Sequence, residues 1–262
     1  MTDRNGEVRY EVRDRIGVIT LSRPEKRNAL TLSMFGQLSA AVSEAGGDRD
    51  VRVLVVMGDG KDAFCAGDDL TELLSHDALT VRDFLIMAQG ILTRLEGLPI
   101  PVIAAVEGFA LGGGLELALA CDLILSSDRA RLGLPETNIG IIPGLGGCIR
   151  LPRRVGLGRA KEMIFSGRIV EAPEAFSMGL VDAVFPSDTF REDCLEYARK
   201  LSRKSASSLA LAKSAVLKGV EASLEAGLAL ERESFAYCFA LPDAREGIRA
   251  FLEKRDPKFG QD

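Results

Sequence analysis

A chain of 262 residues, 47% of them hydrophobic, can bury one large core, or one core with a smaller appendage. Its formal charge of −5 and pI of about 5.2, with Lys and Arg scattered rather than run together, argue against a nucleic-acid or membrane surface as the main partner. No run reaches the ~18 apolar residues of a membrane span. The five cysteines, Cys65, Cys121, Cys148, Cys194 and Cys238, form no CxxC or Cys/His cluster, which disfavours a metal site and a disulfide framework alike.

The amino-terminal stretch MTDRNGEVRYEV carries Asp3 and Glu7 and lacks an apolar h-region, so it reads as neither a secretory signal nor a transit peptide. A reducing cytoplasm is the expected compartment. Along the chain, 17–22, 51–58, 101–108, 121–127 and 180–185 are short, apolar and β-branched, bounded by Gly, Pro or charge, and read as buried strands. Between them, 32–45 forms an amphipathic stretch after a cap position at Thr31, and Val81, Phe84, Leu85, Ala88, Ile91, Leu92 and Leu95 recur at helical spacing. His76, the one histidine, stands beside Ser75 among acids and reads as a solvated loop residue. After residue 188 the strand signals stop, and 190–203, 207–221, 224–240 and 243–255 read as consecutive helices ending in a polar tail. The fold class is therefore α/β with a helical last quarter, without a low-complexity linker or strict repeat. A division into 1–197 and 198–262 is expected.

Two glycine-rich turns carry the chemistry. Gly112–Gly114 follows a strand and opens a helical run, so its N–H groups lie at a helix amino terminus, where glycine lets a ligand approach the backbone. The second turn, FCAGDDL at 64–70, also pairs a small residue with Gly, and the Ala66 N–H is a candidate second donor facing the same ligand. A helix cap at Asp68 or Asp69 is the plain reading of its two acids. Two N–H groups converging on one oxygen would stabilise an enolate. Glu116 falls in the first turn of the helix after the triple glycine, among Leu115, Leu117 and Leu119, where burial would raise its pKa. Glu136 follows Pro135 at the end of a short apolar strand. Either acid alone could be a helix cap; the pair, framed by two glycine turns, points to a two-carboxylate acid/base site.

These segments, with LSRPEKRNAL at 21–30, PVIAAVEGFALGGGLELALACDLILSS at 101–127, 134–152 and REGIRAFLEKRDPKF at 245–259, resemble the enoyl-CoA hydratase/isomerase (crotonase) superfamily, in particular its hydratase branch. The resemblance implies a spiral of ββα units with a carboxy-terminal helical region, assembled as trimers or dimers of trimers. It implies an oxyanion hole from the Ala66 and Gly113 N–H groups, and water held between Glu116 and Glu136. Adding that water to an α,β-unsaturated acyl-CoA, as in fatty-acid or related acyl-CoA degradation, would give a 3-hydroxyacyl-CoA. Glu116 is then read as activator of the water and Glu136 as proton donor. No metal or redox cofactor is expected, coenzyme A being part of the substrate. Isomerisation or thioester hydrolysis on the same scaffold is the alternative.

For coenzyme A, the resemblance implicates Lys26 and Arg27, with Phe235 and Lys254 from the tail of an adjacent subunit. Ala66, Gly67, Asp68, Asp69, Gly112 and Gly113 are the expected substrate-binding turns. Leu115, Leu134, Ile142 and Leu145, with 71–92, are the expected pocket wall. Asp68 departs from the small residue that short-chain hydratases of the family often carry there, which places an extra carboxylate toward the acyl or pantetheine region.

Overall fold

The computed structural model describes residues 6–260; Met1–Asn5, part of the stretch read for targeting signals, and residues 261–262 lie outside them. In chain order the elements are β1 (Glu7–Arg13), β2 (Ile16–Ser22), α1 (Leu32–Gly47), β3 (Val53–Gly58), β4 (Ala63–Cys65), α2 (Leu70–Leu73), α3 (Ala78–Glu96), β5 (Val102–Val106), β6 (Phe109–Leu111), α4 (Gly113–Leu119), β7 (Leu123–Ser127) and β8 (Arg131–Gly133). There follow α5 (Gly147–Val155), α6 (Leu157–Ser166), β9 (Ile169–Glu171), α7 (Ala172–Ser177), β10 (Ala183–Phe185), α8 (Phe190–Ser202), α9 (Ala206–Gly219), α10 (Leu224–Ala240) and α11 (Pro242–Glu253). Single 3-10 turns span Pro24–Lys26 and Glu136–Ile139.

The larger sheet has the order β1-β2-β3-β5-β7-β10, parallel throughout except for the β1/β2 hairpin. Its central strands are buried on both faces, which is why they read as unbroken apolar runs. Alternate side chains serve opposite cores: Leu54 and Val56 pack with Phe35 and Leu38 of α1 and Ile91 and Leu95 of α3, while Val53, Val55 and Met57 pack with Phe190, Cys194 and Ala198 of α8. Both helices of the first core start at real caps. Thr31 accepts the Met34 N–H at 3.2 Å, and Asp77 and Thr80 form a reciprocal capping box on α3.

The smaller sheet, β4-β6-β8-β9, was not legible in the sequence. Each of its strands has three residues, too few for a period-two pattern. The exposed edge strand β1 and the helices α5 to α7 were missed as well. The small sheet explains the architecture: β3 leads to β4, β5 to β6 and β7 to β8, so each turn of the chain lays one strand in each sheet and then a helix. That is the expected spiral of ββα units.

The expected division at 197/198 falls inside α8. Phe190, Cys194 and Ala198 form one buried face of that helix, spaced at one helical turn, so α8 belongs to the core and the outer helices begin after it. Helices α9 and α10 have no buried residues, and Lys213 of α9 is tied to the core through Asp122 (2.7 Å) and the Ile100 carbonyl (3.0 Å).

Candidate active site

The two glycine turns meet because α4 runs against β4 with no room for side chains. At Gly114 a Cβ would stand 2.1 Å from the Cys65 carbonyl oxygen. At Gly67, where φ is +108°, it would stand 3.1 Å from the Leu111 carbonyl oxygen and 3.6 Å from the Gly113 nitrogen. Glycine at these positions is therefore a condition for bringing loop 66–69 onto the amino terminus of α4.

One of the two expected amide donors is already committed. The Ala66 N–H donates to the Arg27 carbonyl at 3.0 Å, so it is not available to a ligand. The reason is local pairing: Leu30 bridges Asp68 in parallel, with the Leu30 N–H on the Gly67 carbonyl and the Asp69 N–H on the Leu30 carbonyl, both at 2.8 Å. Gly67, at φ +108°, interrupts the alternation of an extended segment, so that Ala66 and Asp69, three residues apart, both turn inward to the 27–30 segment. The Asp68 N–H donates to no carbonyl among the described residues, so of these amides it is the one left open beside Gly113. Gly113 opens α4, so its N–H is one of the four that a helix leaves unpaired.

Glu116 is buried on α4, with Oε1 accepting the Leu145 and Gly147 N–H groups, each at 2.7 Å. Burial raises its pKa, while those two amides and the charge of Arg150 pull it back. Arg150 is itself positioned by a two-pronged contact with Glu96 at 2.8 and 3.3 Å. Glu136 lies not at a strand end but at the start of the 3-10 turn Glu136–Ile139, three residues beyond the end of β8; Pro135, without an N–H, cannot extend the ladder. Both of its carboxyl oxygens are buried without a hydrogen-bond partner among the described residues. Burial, together with the charges of Glu116 and Asp68, pushes its pKa up to about 7.

Glycine again makes the space. A Cβ at Gly112 would stand 3.4 Å from Glu136 Oε1, and one at Gly147 would stand 3.0 Å from Glu116 Oε1. The arrangement sets beside the Gly113 turn one carboxylate held as an acceptor by two amides, and a second carboxyl left free and biased toward its protonated form.

The third acid, Asp68, divides its roles with its neighbour. Asp69 is the cap of α2 and pairs with Arg23 at 2.7 Å. Asp68 caps nothing: its Oδ1 is buried and without a partner among the described residues, 2.6 Å from where a Gly113 Cβ would lie. Burial, then the Glu116 charge, pushes its carboxyl up to about 7. It faces a cavity lined also by Leu30, Leu32, Asp69, Glu72, Leu73, His76 and Phe84.

Of the expected wall, the 71–92 segment contributes to this cavity. Leu115, Leu134 and Leu145 are buried in the core around Glu116, whereas Ile142 is 70% exposed. His76 is in a loop as read, but it is not simply solvated. It is half-buried and stacks on Phe84 with ring centroids 5.8 Å apart, a contact between a loop and α3 that no local pattern signals. Lys26 and Arg27 are exposed at the 3-10 turn Pro24–Lys26, the Arg27 guanidinium lying 4.9 Å over the Phe109 ring. Phe235 on α10 is exposed and stacks on Phe239, and Lys254 ends α11 in the left-handed conformation; neither lines the cavity of its own chain.

The profile of the family described as Enoyl-CoA hydratase/isomerase matches residues 11–262. The chain is 43% identical to the 2,3-dehydroadipyl-CoA hydratase of Escherichia coli (strain K12), over 94% of this chain and 95% of the relative. It is 37% identical to a short-chain-enoyl-CoA hydratase of Clostridium acetobutylicum, over 94% of each. Its fold superposes on the crystal structure of an enoyl-CoA hydratase from Bacillus anthracis with a TM-score of 0.93 and 39% identity, covering 99% of this chain and all of the other.

Proposed function

We propose that this chain, which belongs to the enoyl-CoA hydratase/isomerase family, works as an enoyl-CoA hydratase through Glu116, Glu136 and the paired amides of Asp68 and Gly113. The observation that carries the mechanism is the unequal setting of the two glutamates. Two N–H donors favour the ionised form of Glu116, and an unpaired, desolvated site favours the neutral form of Glu136.

The thioester oxygen accepts hydrogen bonds from the Asp68 and Gly113 N–H groups, and conjugation carries the polarisation to the β-carbon. Glu116 takes a proton from water as the water oxygen bonds to that carbon. The electron pair of the double bond moves onto the enolate, and Glu136 delivers its proton to the α-carbon as the enolate collapses. One water is added in total, and a proton passed back to Glu136 restores the site. The reading needs no cofactor beyond the coenzyme A carried by the substrate.

For the nucleotide end, exposed Lys26 and Arg27 suit polyanionic phosphates, and Phe235 and Lys254 serve a neighbouring subunit's site. The uncovered apolar side chains of α9 to α11, among them Val216, Leu228, Phe239 and Phe251, support assembly as a trimer or dimer of trimers. Five free thiols suit a reducing cytoplasm.

The deciding experiment incubates the protein with 2-butenoyl-CoA and identifies the product by mass. A gain of one water with no free CoA is expected; a shifted double bond or free CoA would replace hydration with isomerisation or hydrolysis. The pH profile of kcat/KM, which reports the ligand-free protein, is expected to be bell-shaped. Glu136 acts when protonated, so the alkaline limb falls as pH rises through about 7. Glu116 acts when ionised, so activity also falls as pH drops through its own, raised pKa. A profile flat from pH 5 to 9 would remove both glutamates from these roles.

A further inference from the structure

We propose that the acyl site selects enoyl groups bearing a neutral hydrogen-bonding substituent, such as a hydroxyl, at C4, and that the Asp68 side chain beside Gly113 is the group that reads it. This rests on the hydratase reading and narrows its substrate class.

The acids on the cavity wall are not equivalent. Asp69 is spent on Arg23 and on capping α2, and Glu72 Oε2 accepts the Leu32 N–H at 2.7 Å. Asp68 alone among them keeps a buried oxygen with no partner among the described residues; that oxygen lies beside Gly113, and the residue also lines the small cavity with Leu30, Leu32, Leu73 and Phe84. A buried polar atom left unpaired is costly, and a ligand that pairs it recovers that cost. A plain hydrocarbon chain leaves it unpaired.

Position follows from connectivity. The Asp68 side chain leaves the same Cα whose N–H holds the thioester oxygen, so its carboxyl reaches atoms a few bonds along the acyl chain rather than the far end. Charge selects the kind of substituent. A substrate carboxylate would meet Asp68, Asp69 and Glu72 on the wall and Glu116 and Glu136 beside it. The Arg23 guanidinium is committed to Asp69 and that of Arg150 to Glu96, and the His76 ring stacks on Phe84. A hydroxyl can donate to or accept from the Asp68 carboxyl in either of its protonation states.

The test measures kcat/KM for 4-hydroxybut-2-enoyl-CoA, for pent-2-enoyl-CoA, in which a methyl replaces the hydroxyl, and for the CoA thioester of 4-carboxybut-2-enoic acid. The wild-type protein is expected to favour the hydroxy substrate over pent-2-enoyl-CoA by about tenfold or more. Asp68→Ala should bring that ratio to within about twofold of unity, and Asp68→Asn, which keeps a donor and an acceptor, should retain most of it. A wild-type preference for pent-2-enoyl-CoA or for the carboxylate substrate overturns the proposal, as does a ratio unmoved in Asp68→Ala. If the alanine variant does not fold, the wild-type ratio and the asparagine variant decide. Absence of hydration with all three substrates and with 2-butenoyl-CoA would strike the hydratase reading itself, which separates the two failures.

Discussion

Glu136→Gln is expected to lower kcat at least ~100-fold while KM for 2-butenoyl-CoA stays within about threefold, and Glu116→Gln to do the same. Each substitution keeps the shape of the side chain and removes one proton-transfer function. At Glu136 the amide cannot give a proton to the α-carbon, so the enolate has no acid with which to collapse. Both Glu136 oxygens lie buried without partners among the described residues, so an amide there gains no new bond to them that would hold the ground state. At Glu116 the Gln carbonyl oxygen can still accept the Leu145 and Gly147 N–H groups, so the loop from Leu145 to Gly147 keeps its anchor while the base is lost. The double variant should be little slower than either single one, because water activation and proton return act as one unit. Steady-state kinetics with a direct binding measurement of the acyl-CoA checks this; turnover near wild type in either variant removes that residue from the chemistry.

What the sequence disclosed, and what it did not, follows from the range of the interactions involved. The buried parallel strands were legible because burial on both faces leaves a continuous apolar run, as in VLVVMG of β3. Glu116 and Glu136 were legible only as a pair, each adjoining glycine-rich sequence and each lying in a segment that resembles the hydratase family. The error at Ala66 has the opposite origin. Which amide of CAGDD faces the ligand depends on the register of that segment against 27–30, a pairing across nearly forty residues that no local spacing encodes. The Leu145 and Gly147 amides that hold Glu116, and the stacking of His76 on Phe84, are likewise contacts between elements distant in the chain. The small sheet was invisible because three-residue strands carry no period.

Gly114→Ala tests the contact on which the whole site depends, and it should cost more than ~3 kcal/mol of stability. Its φ is an ordinary one, so the objection is steric: the new Cβ would lie 2.1 Å from the Cys65 carbonyl oxygen, 2.7 Å from the carbonyl carbon and 2.8 Å from the Cys65 Cβ. None of the three is the tip of a flexible side chain. Relief requires α4 to withdraw from β4 by more than an ångström, yet α4 is buried from Gly113 to Leu119 and has nowhere to go without opening the core. The same withdrawal separates the Asp68 and Gly113 amides, so the folded fraction should also lose about 100-fold in kcat. Gly90→Ala is the internal control. That position in α3 has nothing within 4 Å of a new Cβ, and helix propensity predicts a gain of ~0.5–1 kcal/mol. Urea midpoints of the two variants should move in opposite directions. A Gly114→Ala midpoint close to wild type would mean that α4 and β4 are not held together as tightly as the two-amide site requires.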